Sequence, residues 1–544
     1  MEVVNESQCD GAQPSCKTCV SRDLQCLGYS TYFDRVHKDE TDSTRRRVKK
    51  IKADVITLPS YQQSDQGYVV ECMAASSVIS SLNLVRYDKR ISLVASTVPA
   101  SLNRDFESAA CDIFLAIYAE HHISIYANGG FMHHLFPMLR RTPVSSPLHK
   151  AVTTVAVSFA AYLSKDPSHT ALPSKCYAEA AKSLRLAIKD NARNTDDDIL
   201  MTTLMLDFCD ATSLAFRTAS YEHSRSHQLG ALALARHRGP ANFKNEASKA
   251  MIVSLQTAIL HNALHARRTP PVGSEYWFNN PKMPTNIFTR LNDLTLDLTN
   301  ILARRQSSGT TDIETWQDLL QLDAKYLDWY TTLPAACLPQ MLRGKEIPPT
   351  VRVAGLYRDT CSVYQDLQVA NILNVWRYRR IMLLHKLKNC SLLCTAGTDQ
   401  PVFQSLLQTD ATIQWLADGI CESVPFFLGD YTDVLPPIYS SGLTFPTKIT
   451  DHGTIPHDPL AHARHATGAG GWLVLTPLVN LCYYTRRSIE SCPISLREGQ
   501  LAWIQSQLRR LQYGMAAPFT AEQIAETSSQ SESQYLFLSR AHRV

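Results

Sequence analysis

Four of the chain's 15 cysteines, Cys9, Cys16, Cys19 and Cys26, fall within the first 26 of its 544 residues. In CDGAQPSCKTCVSRDLQC, six residues, then two, then six separate successive thiols. In a chain whose first residues carry no secretory signal, such a set reads as zinc ligands rather than a disulfide framework. The two-residue gap lets Cys16 and Cys19 hold one ion together, and Gly11 and Pro14 supply the turn that folds Cys9 back toward them. Four thiolates satisfy one tetrahedral zinc but not two, so one structural zinc at most is the expected cofactor. The bland alternative is a tail of four thiols without metal.

A second concentration of chemistry is the run RRRVKKIK at 45–52, directly after the acidic KDETD at 38–42. It contributes Arg45, Arg46, Arg47, Lys49, Lys50 and Lys52. Such a run serves as a solvated linker, a nuclear import signal or a phosphate-binding arm. The net charge of +4 is too small to establish a nucleic-acid partner, so this clustering carries more information than the total. The opening MEVVNESQCDG has no apolar run suited to a signal peptide. The longest apolar stretch, AVTTVAVSFAAYLS at 151–164, is too short and too rich in hydroxyls to span a bilayer. A reducing compartment and no membrane partner are therefore expected.

Enzyme motifs are missing: no phosphate-binding loop, no dinucleotide fingerprint, no nucleophile elbow and no H-E-x-x-H. The chain is expected not to be an enzyme. The best catalytic-looking constellation is DHGTIPHDPLAHARH at 451–465, with His452, His457, His462 and His465 beside Asp451 and Asp458. Its spacing fits no helical face, so these are expected to be exposed loop histidines, and GAGGW at 468–472 a flexible lead into an apolar helix.

The N-terminal cysteines resemble the second half of the zinc binuclear cluster of fungal transcription factors, in which six cysteines hold two zinc ions. The likeness rests on the four spaced thiols, on Asp10 and Gly11 after the first, on Pro14 in the loop, and on Gly28 and Tyr29 trailing Cys26. Where the family has two further cysteines and a basic recognition helix, this sequence has MEVVNESQ. The resemblance implies a nuclear, zinc-dependent, DNA-binding regulator. Lys17 and Arg22 match positions that lie near phosphates, and phosphate contacts position without specifying. Two expectations follow for the missing half. Either coding sequence upstream of codon 1 supplies it across an intron, or the protein has lost sequence-specific binding and works through the rest of the chain.

That rest reads as helices. With 44% hydrophobic and 19% charged residues the bulk is an ordinary globular protein. Residues 1–28 form the partial zinc-cluster domain, 29–105 a basic, largely disordered linker, and 106–544 an all-α body of stacked helix pairs. Helical spacing begins at Phe106, after Asn103 as a cap, and continues through Ala110, Ile113 and Ile117. Tyr177, Ala181, Leu184 and Ile188 make one apolar stripe. Thr195 and Asp198 read as a capping pair, with the acids at 196–198 suited to a helix start. Further helices are expected at 131–141, 146–164, 223–238, 246–266, 288–305, 312–333, 351–390, 402–424, 470–487 and 496–513.

This body also resembles, loosely, the helical regulatory region of the same family. The segments that carry the likeness are HHLFPMLRR at 133–141, SHQLGALALARHRGP at 226–240, NVWRYRRIMLLHKL at 374–387 and ICESVPFFLGD at 420–430. The resemblance implies control of a biosynthetic (secondary-metabolite) or catabolic gene cluster, with DNA, the transcription machinery and a second copy of the chain as partners. The alternative is a helical regulatory or scaffold protein without sequence-specific DNA binding. A fragment covering residues 1–60 is expected to bind one zinc per chain through its four thiolates. Titration with a thiol-reactive zinc-release reagent measures this, and a stoichiometry of two, or none, contradicts it.

Overall fold

The structure, a computed structural model, describes residues 106–118, 130–164, 171–190, 193–213, 226–271, 274, 280–307, 312–394, 401–430, 443–447, 462–463, 465–485 and 493–514. The zinc-cluster region and the linker through 105 lie outside them. Within the described residues the architecture is all-α, as the spacing predicts, with one two-stranded antiparallel sheet.

The first half holds α1 (Phe106–Tyr118), α2 (Leu135–Leu139), α3 (Pro147–Ser164), α4 (Leu172–Lys189), α5 (Asp197–Ser213), α6 (Ser226–Arg238) and α7 (Glu246–His265). The second holds α8 (Ile287–Ser307), α9 (Asp312–Thr331), β1 (Gln340–Arg343), α10 (Pro349–Gly355), β2 (Thr360–Val363), α11 (Leu367–Cys394), α12 (Pro401–Leu428), α13 (Gly471–Tyr484) and α14 (Gln500–Gly514). Packing follows the chain. Helix α3 is covered by α1, α4 and α5, and α5 by α6 and α7. From α7 the stack passes through α8 and α9 to α11, which is then covered by α12 and α13, with α14 on α13. No helix among the described residues is long and apolar enough to cross a membrane.

Helix starts follow from local chemistry. Ser146 Oγ accepts from the His149 amide at 3.3 Å, Asn245 Oδ1 from Ser248 at 2.8 Å, and Asp366 Oδ1 from Val369 at 2.9 Å. Each satisfies an amide that the first helical turn leaves without a partner. The stripe expected on α4 is displaced by one residue. Cys176, Ala180, Leu184 and Ala187 are buried, while Tyr177 and Ile188 are half-buried.

The single helix expected over 351–390 is instead α10, a tight turn, β2 and α11. Gly355 ends α10 at φ 115°, and Arg358 and Asp359 both take φ 54°. Two consecutive left-handed residues make the turn geometry that matches strand twist, closed by the Thr360 amide on the Tyr357 carbonyl at 3.2 Å. The strands then pair antiparallel, Gln340 with Val363 through Arg343 with Thr360.

Helix α11 occupies the middle of this stack. Every residue from Val369 to Leu387 is buried. The interior therefore receives Asn371, Asn374, Arg377, Arg379, Arg380, His385 and Lys386 along with the leucines. Arg380 makes a two-pronged contact with Asp323 of α9, at 2.8 and 3.0 Å, and lies over the Trp376 ring. Arg377 donates to the Tyr364 hydroxyl at 3.0 Å and to Asn374 Oδ1 at 2.7 Å. Helix α12 admits that guanidinium because residue 419 is glycine. A β-carbon there would stand 2.8 Å from Arg377 Nε.

A second buried ion pair fastens the N-terminus of α5. Arg238, at the end of α6, donates to Asp197 Oδ1 and to the Asp196 carbonyl. Asn245 and Ser248 also donate to the Asp197 carboxylate, at 2.9 and 2.7 Å. These bonds hold the carboxyl below the usual carboxylate range against the opposing effect of burial. Asp198 takes Arg193 at 2.9 Å instead. The acids at 196–198 thus meet the helix dipole, as expected, but their main task is to tie α5 to α6 and α7.

Candidate functional site

The expected zinc ligands Cys9, Cys16, Cys19 and Cys26 lie outside the described residues. So do the expected DNA-phosphate and import residues Lys17, Arg22, Arg45, Arg46, Arg47, Lys49, Lys50 and Lys52. Their fit to zinc rests on the chemistry of four soft thiolate donors. Of the loop histidines, His452 and His457 also lie outside. His462 and His465 are buried rather than exposed, which corrects the sequence expectation.

His462 Nε2 donates to the Phe426 carbonyl at 3.0 Å, with the Phe426 ring 4.1 Å away and the Phe445 ring 5.3 Å away. Phe426 lies in the last turn of α12, where carbonyls have no helical partner. His462 is therefore a cap on α12. The glycines of 468–471 are not a flexible lead either. Residues 466–470 form a buried π-turn, and a β-carbon at Gly470 would overlap the Phe427 carbonyl oxygen. The glycine is what lets this turn approach α12.

A group of polar side chains with surface access gathers around Asp418 of α12. Its Oδ1 accepts from the Tyr357 hydroxyl at 2.8 Å, from Gln414 at 2.6 Å and from Gln500 at 3.3 Å. Its Oδ2 accepts two bonds from Arg497, at 3.1 and 3.0 Å, with Arg358 at 3.5 Å. One turn further, Glu422 accepts from Thr360 at 3.4 Å. Burial raises its carboxyl above the usual range, and the charge on Asp418 adds to the rise. The strained turn at Arg358 and Asp359, the lead-in to α14 and the middle of α12 thus converge on one carboxylate.

The chemistry available there follows from counting lone pairs. A carboxylate offers about four acceptor sites, and the donors to Asp418 occupy them all. Nothing remains to take a substrate proton or a metal. Cys421, which receives Gln500 Nε2 at 3.4 Å, and Cys361 are buried, and burial pushes both thiols up, Cys361 to about 12. Protonated thiols of this kind are poor nucleophiles. The group is suited to joining the two-stranded sheet and α14 to α12, not to proton transfer. Among the described residues no three His, Cys, Asp or Glu side chains gather as a metal site would require. No family model, no curated protein and no solved structure matches this chain.

A third polar group lies between α4, α5 and α6. The Tyr177 hydroxyl and His227 Nε2 are 2.8 Å apart, and Asp210 Oδ2 is 3.8 Å from the same nitrogen. Nothing in the composition marked these residues, because each sits at an ordinary helical position 50 and 17 residues from His227 in sequence. Burial holds His227 down to about 4, and His265, also lowered by Arg379 and Arg267, down to about 3. Both lie below the unfolded value of about 6.5, so between these limits the unfolded chain binds more protons than the folded one. Their stabilising contribution is complete above about pH 6.5 and is lost as pH falls toward 4, by up to about 1.4 kcal/mol per unit per histidine. Urea unfolding from pH 7 to 4.5 is expected to show this fall, and His227→Gln to make it shallower. An unchanged slope in His227→Gln means that Asp210 keeps the imidazole charged.

Proposed function

We propose that this chain is a transcription regulator of the fungal zinc cluster type. Cys9, Cys16, Cys19 and Cys26 hold a structural zinc, and the helical body serves as the regulatory region. The observation that carries this reading is the spacing of six, two and six residues between four N-terminal cysteines, followed by the basic run at 45–52, ahead of an all-helical body. Zinc supplies folding energy to a segment too small to build a core of its own. The basic run directs the protein to the nucleus and neutralises phosphates together with Lys17 and Arg22. Control of a biosynthetic or catabolic gene cluster is the matching role, with the transcription machinery and a second copy as partners.

The body lends support through the segments that resemble the family's regulatory region. Arg238 of 226–240 makes the buried pair with Asp197. Segment 374–387 supplies the buried arginines of α11. Segment 420–430 contributes Phe426 and Phe427 to the core and Glu422 to the Asp418 group. Each segment thus sits where a substitution would disturb packing between helices.

A second reading is a helical regulator or scaffold without sequence-specific DNA binding, which rests on the all-helical body alone. Selection from random duplexes separates the two. The chain as written is expected to bind DNA indifferently to sequence, with Kd about 10⁻⁴ to 10⁻⁶ M at physiological salt. Neutralising at most about six phosphates, it should give a slope of log affinity against log salt no steeper than roughly −5. The same selection with an upstream coding segment that supplies Cys-x-x-Cys and basic residues is expected to recover CGG-type half-sites. No motif even then leaves the scaffold reading. A sharp motif from the chain as written means that base contacts come from residues outside the family pattern.

A further inference from the structure

Helix α9 is buried along one side and apolar along the other. Thr315, Leu319, Leu322, Tyr326 and Trp329 face the core. On the far side stand Ile313, Leu320 and Leu327, which are 58, 40 and 45% exposed. Seven residues separate each from the next, the interval at which one helix presents a seam to a second helix. Ala324, also exposed, follows Leu320 by one turn and is small enough to let a partner approach closely. A single exposed leucine is ordinary on a protein surface, but a row of three on a helix whose other side already covers the core marks an interaction face.

The row leads to an aromatic anchor. Tyr330 follows Leu327 by three residues, so the two are neighbours on the helix surface. The Tyr330 ring meets the ring of Trp415 of α12 nearly edge-on at 5.9 Å, and Trp376 of α11 meets the same indole at 6.1 Å. Trp415 nonetheless remains 51% exposed. A large ring held in place by two others loses little freedom on binding, which is the property of residues that dominate interfaces.

Charge decides what this face accepts. Helix α9 carries five acids, Asp312, Glu314, Asp318, Asp323 and Asp328, against Lys325 alone. Asp318 meets Arg304, Asp323 meets Arg380, and Lys325 meets Asp297. Glu314 and Asp328 are exposed beside Ile313 and Leu327, near the two ends of the row. Laid antiparallel on a second copy of itself, the row would set Glu314 against Asp328. Laid parallel, each acid would meet its own counterpart. Like charges opposed across an interface are unfavourable, so a second copy is turned away and a basic partner is drawn in.

We propose that the exposed face of α9, with Trp415 at its end, docks an amphipathic helix of a partner protein whose apolar seam is flanked by Lys or Arg. From Ile313 to Leu327 the row spans about 21 Å at 1.5 Å per residue, room for two heptads of the partner. The partner's apolar side chains sit between Ile313, Leu320 and Leu327, its basic flanks meet Glu314 and Asp328, and its end packs on Trp415. The apolar row supplies affinity, and the acids select the partner by its charge.

The test is fluorescence anisotropy of the full-length protein with three labelled 18-residue synthetic helices. The first carries Leu along one seam and Lys on both flanks, the second replaces each Lys by Glu, and the third keeps the Lys but replaces each Leu by Ser. The first is expected to bind saturably, once per chain, with the other two at least tenfold weaker. Leu320→Gln, Leu327→Gln and Trp415→Ala should each weaken it tenfold or more, with helicity by circular dichroism unchanged. Glu314→Gln combined with Asp328→Asn, both at exposed positions, should weaken it and flatten its dependence on salt. Val353→Gln, at an exposed apolar residue of α10, should leave it unchanged. Absence of binding by the first helix overturns the proposal, as does equal binding of any two of the three. So does an affinity that the leucine and tryptophan variants leave unchanged. Sedimentation of the protein alone as a dimer that Leu320→Gln dissociates also overturns it, because a second copy then covers the face.

Discussion

A helix buried on every side has no face on which to leave a polar side chain, and α11 is such a helix from Val369 to Leu387. Each of its arginines must find its oxygens inside the protein, because an ion removed from water without a partner costs several kcal/mol. The neighbours of α11 are arranged accordingly. Helix α9 brings Asp323, α8 brings Thr295, the segment before α11 brings Tyr364, and α12 carries glycine at 419 where a larger residue would collide with Arg377. Aromatic rings fill the spaces between, with Tyr330, Trp376 and Trp329 stacked at 4.6 and 6.2 Å. Apolar burial drives the packing, and the polar contacts of α11 fix which helix lies where. Breaking one such pair by removing a partner is the change that would cost most, about 3 to 5 kcal/mol.

The outer elements are attached by a second device, the saturation of single acceptors. Asp418 gathers the turn before β2 and the start of α14 onto α12, and Asp197 gathers the end of α6 and the start of α7 onto α5. Each carboxylate is fully used by its donors. This is why neither is suited to act as a base, while burial keeps the nearby thiols of Cys361 and Cys421 protonated. Arg379 of α11 is held by an uncharged acceptor instead, the Thr295 hydroxyl of α8 at 2.6 Å.

Helical spacing was sufficient to place most elements, because an apolar residue every three or four positions can be satisfied only by a helix lying on a core. The expected 246–266 and 312–333 lie within a residue or two of α7 and α9. The failure over 351–390 has a local cause. Nothing in Arg358 or Asp359 signals two left-handed residues, since asparagine or glycine usually marks that turn. The displaced stripe on α4 has another, because alanine and cysteine are small enough to be buried without standing out in a hydrophobic pattern. The burial of His462 was not legible because its partner Phe426 comes from a helix 36 residues earlier in sequence. The buried arginines of α11 illustrate the limit. RYRR at 377–380 carries three positive charges that helical spacing alone does not place, and only the helices packed around it turn them inward. The spacing of the four N-terminal cysteines is the opposite case, a pattern visible in the sequence that lies outside the described residues.

The most direct measurement of the central role of α11 is native-state hydrogen exchange across a denaturant series. Amides between 369 and 387 are expected to exchange only through global unfolding, with free energies that converge on that of the whole body and exceed those of the two-stranded sheet and α14. Exchange of the α11 amides through a smaller opening, at a free energy below that of α3 or α5, would contradict the view that the other helices are arranged around it.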